Sequence, residues 1–456
     1  MRKPSIFSLI TCLAVLATGT VCAQQSLLTE QDLGLQEIRE TLANLELSSS
    51  RLDRRMLEPL GQFGQQLMDA GHFDEAHQVL DQAVQIVRVS EGLYSQNQFP
   101  YLLSRIENYG NQGDWDHASD LIEHLEWLLR RGENFINVEL MDSILNLVDI
   151  HLWGVANDSP FLQSSHFRGA RRLNELAIRA AIRAWGPTDT RLPEILYKQV
   201  VQDYLQAVAV EAGGKTGIAL RTFSEGGYAR TRRETRISYY YSGLRNLNVI
   251  RQIYLNQQEP DLVGMALAEM YIADWQVLFG YPDAAAGSYA RSYELLLEAG
   301  IAASAINQFY AHPKMIPALN FITDWDSTLA SLDQPITVDQ DGVGTAKFNF
   351  QQWSAQFPHY EAPVDFGSNE LTATDEDFAM FSFNLAGLEE ASRWYRGRFK
   401  KEVSSPQNLE LVSQNFNQQV DWMELENAIM DFRFRPKLVD GVPQSVNATL
   451  VYYLAE

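Results

Sequence analysis

Apolar positions along most of this chain recur with a helical spacing. Leu60, Phe63, Gly64 and Leu67 stand at i, i+3, i+4 and i+7, the spacing of one helix face. Gly71 ends that helix. Asp74 opens a second, whose inner face is Ala76, Leu80 and Ala83, and the small residues Gly64 and Ala76 are expected to face each other so that two antiparallel helices approach closely. The same grammar returns further on. Leu102, Ile106 and Tyr109 lead into Gln112-Gly113-Asp114-Trp115-Asp116, followed by Ala118, Ile122 and Leu125, and Gly113 lies 42 residues after Gly71. A third copy has a first helix over 266–279, a turn at Gly280-Tyr281-Pro282-Asp283, and Ala285, Tyr289 and Tyr293 on the second helix. Between these copies the periodicity predicts helices near 136–153, 165–185, 191–211 and 236–256. Pro187 and Pro260 sit where they stop helices.

After about residue 310 the pattern changes. His312-Pro313, Ile316-Pro317 and the run from Asp324 to Asp341 read as loop and linker, and 343–370 mixes short aromatic runs with prolines. From 376 onward the period becomes two. Ala379, Phe381, Phe383 and Leu385 alternate as on a strand, Ala386-Gly387 makes a turn, and 394–399 is expected to be a second strand. Trp422, Leu425, Ile429 and Phe432 mark a short helix. A turn at Asp440-Gly441 leads to a last strand with Val446, Ala448, Leu450, Tyr452 and Leu454 on one face.

The first residues add a compartment to this picture. Arg2 and Lys3, the apolar stretch from Ile6 to Val15, and Val21-Cys22-Ala23 before Gln24 read as a cleavable signal peptide, with an uncleaved inner-membrane anchor as the alternative. The expected location is therefore the periplasm. Both cysteines, Cys12 and Cys22, fall inside that leader, so a mature chain has neither a disulfide nor a thiolate for metal or nucleophilic chemistry. The net charge is −22, and loss of Arg2 and Lys3 makes it more negative by two. Such a surface repels nucleic acid and anionic lipid and suits basic or neutral partners.

Two resemblances follow from the residues quoted. The turn of glycine, one residue, an aromatic, two further residues and alanine, with its upstream Leu and Tyr positions, resembles tetratricopeptide (TPR) repeats across roughly 50–305. Arg105 departs from the pattern, standing where the first copy has Phe63. The implied fold is a mainly α solenoid of helical hairpins, each burying its apolar face on its neighbours. The segment from the 422–432 helix through Phe432-Arg433-Phe434-Arg435-Pro436 and Asp440-Gly441-Val442-Pro443 to the final strand is similar to the C-terminal domain of TonB energy transducers. That resemblance implies a small α+β domain that pairs a strand edge with an extended peptide of an outer-membrane receptor, in the envelope of a Gram-negative bacterium. The expected organisation is a leader over 1–23, a TPR-like domain over 24–310, a linker over 311–375 and a TonB-like α+β domain over 376–456.

The candidate protein-binding residues follow from these resemblances. The concave side of a TPR array is lined by first helices, which points to Glu58, Gln65, Leu103 and Glu107. On the last strand the candidates are Asn447, Thr449, Val451 and Tyr453. No catalytic residue, metal ligand or cofactor is expected. Gly213-Gly214-Lys215-Thr216 lacks the upstream glycine of a phosphate loop, since that place holds Ala209. His117 and His124, and His72 and His77, read as surface residues. The stretch holding Arg230, Arg232, Arg233 and Arg236 reads as a solvated loop entering a helix, or else as a basic docking patch. The leading expectation is a non-enzymatic adaptor that binds proteins or extended peptides. A TonB-like transport component is the second reading, and an enzyme with a helical-repeat body the third.

Overall fold

The computed structural model describes residues 30–48, 52–131, 140–159, 162–212, 232–311, 313–318, 321–323, 325, 337–338, 344–350, 378–388, 404–414, 422–430 and 432–453. The signal peptide, the Gly213–Thr216 stretch, Arg230 and the expected strand at 394–399 lie outside them. The described residues are mostly helical, with small sheets late in the chain. The chain forms two compact units, 1–128 and 129–456.

In the first unit lie α1 (Glu30–Ser48), α2 (Leu57–Asp69), α3 (Phe73–Glu91), α4 (Phe99–Asn111) and the start of α5 (Trp115–Arg131). Consecutive helices pack on one another from α1 to α4. One core cluster joins Leu35, Phe63, Leu67, Met68, Ala76 and Leu80, and a second joins Met56, Leu60, Ala83 and Ile86. The space left by Gly64 is taken by Leu80: a Cβ there would stand 2.6 Å from Leu80 Cδ2. The expected Gly64–Ala76 contact is therefore replaced by a leucine one turn further along α3. Arg105 has its own explanation. Its guanidinium donates to Asp81 Oδ1 at 2.9 Å, so an ion pair with α3 stands where the first copy has a phenyl ring.

The glycine turns share one backbone geometry. Gly71, Gly113 and Gly280 have φ of 74°, 71° and 77°, a left-handed conformation that favours glycine. After each, the next N–H reaches back five residues, His72 to Leu67 (2.8 Å), Asp114 to Tyr109 (2.9 Å) and Tyr281 to Gln276 (2.8 Å), closing the helix in a Schellman arrangement. A fourth such turn at Gly300, where Ile301 N reaches Leu296 O at 3.1 Å, has no aromatic after it and escapes the sequence pattern.

The second unit contains α6 (Met141–Asn157), α7 (Gln163–Trp185), α8 (Leu192–Ala212), α9 (Arg232–Leu255), α10 (Leu262–Leu278), α11 (Pro282–Glu298) and α12 (Ala303–Phe309). Each helix from α6 to α11 packs on the next. α10 is buried at every position from Ala266 to Leu278, as a helix surrounded by other elements must be. Facing helices interlock through glycines. Trp275 of α10 fills the space at Gly243 of α9, and Tyr254 of α9 fills the space at Gly264 of α10.

The sheet region follows. A five-stranded sheet has the order β2 (Thr337–Val338), β3 (Gly344–Phe350), β9 (Val446–Tyr453), β4 (Phe378–Leu385), β5 (Gln407–Gln414). β3 runs parallel to β9, and the other neighbours are antiparallel. Phe381, Phe383 and Leu385 are buried, as their alternation predicts. The antiparallel partner of β4 is β5 at 407–414, and α13 (Trp422–Met430) follows it. Two short pairs complete the region. β1 (Lys314–Ile316) pairs with β6 (Arg433–Arg435), and β7 (Lys437–Val439) pairs with β8 (Val442–Gln444) around Asp440-Gly441, where φ is positive at both turn residues. The expected linker at 311–375 thus contributes three strands: β1 and β3 find their partners far along the chain, in β6 and β9, and β2 pairs with β3.

Candidate functional site

The expected binding residues fall into two groups. On α2, Glu58 and Gln65 are exposed, and Gln65 donates to Asp69 Oδ1 at 2.9 Å. On α4, Leu103 is 3% exposed and belongs to the core, so it is no surface contact. Glu107 is half-buried, and that burial pushes its carboxyl above the usual carboxylate range. On β9, Asn447, Thr449 and Val451 have strand neighbours on both sides: β3 through Thr345, Lys347 and Asn349, and β4 through Asn384, Ser382 and Met380. Tyr453 pairs with Phe378. The backbone at 447–451 therefore offers no edge for an added strand, contrary to what the TonB resemblance implies for these positions. Among the described residues, β5 pairs only with β4, and it exposes Leu411 and Val412.

The other singled-out residues are engaged locally. His117 is 2.7 Å from Asp114 Oδ2 at the start of α5. His124 stacks on Trp127 and lies 3.3 Å from Arg88 Nη2. Arg236, from the candidate basic stretch, donates to the Leu278 carbonyl at 3.3 Å and covers the Phe279 ring, which ties α9 to the end of α10.

A polar row inside α8 escaped the sequence reading. Gln199, Gln202, Asp203 and Gln206 are spaced i, i+3, i+4 and i+7 and are all buried. Asn174 of α7 donates to Gln199 Oε1 at 3.3 Å, and Gln199 donates to Asp203 Oδ1 at 3.4 Å. Yet Asn174 Oδ1, Asp203 Oδ2 and both polar atoms of Gln202 have no hydrogen-bond partner. Buried amides and carboxylates with unmet capacity are rare in native interiors, because each costs about 1–3 kcal/mol. Burial raises the Asp203 carboxyl to about 6, against the pull of a Ser242 hydrogen bond and the nearby Arg171 guanidinium. The row can receive N–H groups at its free oxygens and pair with an amide through Gln202. Its signal was in the sequence, since a stripe of glutamines at helical spacing inside an otherwise apolar helix is as periodic as a hydrophobic one.

A second buried polar centre lies where β6 meets α10. Arg435 and Asp274 have side chains 3% exposed and are 2.6 Å apart. Arg435 Nε also donates to Asp274 Oδ1 at 3.0 Å, and Tyr289 donates to the same oxygen at 2.6 Å. Burial opposes the guanidinium charge, but the Asp274 carboxylate outweighs it and holds the arginine protonated. Tyr310, pushed up to about 12 by burial, shares a 2.8 Å hydrogen bond with Ser292. Asp440 accepts from Tyr293 at 3.1 Å and from Asn307 at 2.9 Å. Aspartate, arginine and tyrosines here satisfy one another, so this centre joins elements and leaves no group free for chemistry. No protein-family model matches the chain, and no curated protein matches it significantly.

Proposed function

We propose that this chain is an exported, non-enzymatic adaptor that binds proteins or extended peptides through a TPR-like array of helical hairpins. A small TonB-like α+β module supplies a second contact. The observation that carries this reading is the recurrence of one glycine turn, with one hydrogen-bond pattern, at 71, 113 and 280. Repetition of a hairpin generates surface, and repeat proteins use that surface for binding. Glu58, Gln65 and Glu107 on the first helices supply polar contacts.

The second reading, a transport component that meets an outer-membrane receptor by strand addition, draws support from the β5 edge with its exposed Leu411 and Val412. In this reading β5 replaces β9 as the receiving strand. The test is photo-cross-linking in intact cells from positions 65, 107 and 411, together with the mass of the native protein. The adaptor reading expects one recurrent protein attached from both 65 and 107, and a mass beginning at Gln24. Capture of a receptor from 411 alone, with a mass beginning at Met1, supports the transport reading. Absence of any protein attached from the first helices sinks the adaptor.

A further inference from the structure

We infer that the face of α8 and α10 against which Ala318, Phe321 and Ile322 lie is a peptide-binding groove held by the chain's own segment, and that it takes an uncharged, non-helical peptide with an aromatic residue when that segment lifts. The inference rests on the proposal above that first helices form the binding side of the array. Two tyrosines, one from each first helix, grip the segment by its backbone. Tyr197 of α8 donates to the Ala318 carbonyl at 2.8 Å, and the Ile322 N–H donates to the Tyr271 hydroxyl oxygen of α10 at 3.0 Å. Between these two points stands Phe321, 6% exposed. Its ring centroid lies 5.7 Å from that of Tyr197, 4.7 Å from that of Tyr271 and 6.4 Å from that of Tyr254 on α9.

These are the contacts by which a protein reads a peptide. Ala318, Phe321 and Ile322 belong to no helix or strand, and helix side chains meet the Ala318 carbonyl and the Ile322 N–H in place of a backbone ladder. Hydroxyl groups that hold a backbone are indifferent to the ligand's side chains, whereas a pocket of three tyrosine rings selects an aromatic one. The sequence from Ala318 to Thr323 carries no charge. The Asp274–Arg435 pair beside Tyr271 cancels its own charge, with the guanidinium carbon 5.8 Å from the Tyr271 ring, so a neutral ligand suits this face. The resident segment is held on both sides. Before it, β1 pairs with β6, and after it Trp325 packs on Phe309 at 4.6 Å between centroids. A peptide from outside therefore competes with one that is tethered in place at a high effective concentration, and it gains entry only in the fraction of molecules whose segment has opened.

The test uses the full chain. Hydrogen exchange, corrected for intrinsic rates, compares the Ile322 amide with the amides of α8 and α10. The expected result is exchange at Ile322 at least about a hundredfold faster than in either helix, the mark of a segment that opens while the helices beneath it stay folded. Equal protection makes the segment part of the core and overturns the proposal. The second measurement is fluorescence anisotropy of a labelled, end-capped peptide of residues 316–323, added to the native chain and to Phe321→Ala, which loosens the resident copy. The variant is expected to bind the peptide at least about tenfold more tightly than the native chain does, because its groove is open in a larger fraction of molecules. Equal affinity for the two chains, a folded variant that leaves the peptide unbound, or equal binding of a peptide that carries Phe321→Ala itself, overturns the proposal as well. Should the Phe321→Ala chain fail to fold, exchange in the native protein decides alone. Failure of the adaptor reading shows elsewhere, in the cross-links from 65 and 107 on α2 and α4, which involve neither this segment nor its helices.

Discussion

Asp203 shows what a single residue can report. Its carboxyl is buried, raised to about 6, and keeps one oxygen without a partner. Because its folded-state value lies above the unfolded value near 4, the protonated form is favoured by folding. Its contribution to stability is complete below about pH 4 and is lost as pH rises through about 6, a loss of about 3 kcal/mol. Asp203→Asn is expected to flatten that part of the stability profile, measured as chemical-denaturation midpoints across the acid-to-neutral range. An unchanged profile places the titrating group elsewhere. The polar stripe that holds Asp203 is visible in the sequence as a period, but its burial is not. A lone Asp among glutamines carries no sign of burial until three helices close around it. Arg105 was read as a flaw in the second repeat, and only its partner Asp81 shows why the repeat tolerates it.

At the scale of elements, the packing of α9 on α10 makes a paired prediction. A methyl group at Gly243 would stand 2.1 Å from the Trp275 ring, which is buried and held by its Nε1 donating to the Tyr240 carbonyl at 2.9 Å. The ring has no room to yield, so Gly243→Ala is expected to cost about 3 kcal/mol. Gly287, on α11, has nothing within 4 Å of the same position, and Gly287→Ala is expected to add up to about 1 kcal/mol. Calorimetry of the two variants separates a packing notch from a merely tolerated glycine. Elements were the most legible level. The helices ending at Gly71, Gly113 and Gly280 could be read because a left-handed turn and a 3.6-residue period are local properties. Strand β4 could be read for the same reason. β1 and β3 could not, since their pairing partners, such as Arg435 for Lys314, lie more than a hundred residues away. The edge expected at β9 failed on the same ground: β3, drawn from the apparent linker, occupies it.

At the scale of the molecule, the Asp274–Arg435 pair governs how the second unit holds together. Removing one partner leaves a buried charge without compensation. Arg435→Met is therefore expected to cost about 3–5 kcal/mol, while Asp274→Leu combined with Arg435→Met restores part of that loss. The restoration is incomplete because Tyr289 loses its acceptor. Urea denaturation of the three variants measures the difference, and an equal loss in the single and double variants rejects the account.

The carboxylate of this pair sits in the buried stretch of α10, and its cation arrives 161 residues later. During synthesis α10 exists long before Arg435 does. For that interval Asp274 lacks its counterpart cation, and the helix gains its settled environment only as Arg435 is delivered. Arrival of Arg435 and consolidation of the α10–α11 hairpin thus become one event, and a product cut short before residue 435 is left with a core that lacks its closing cation.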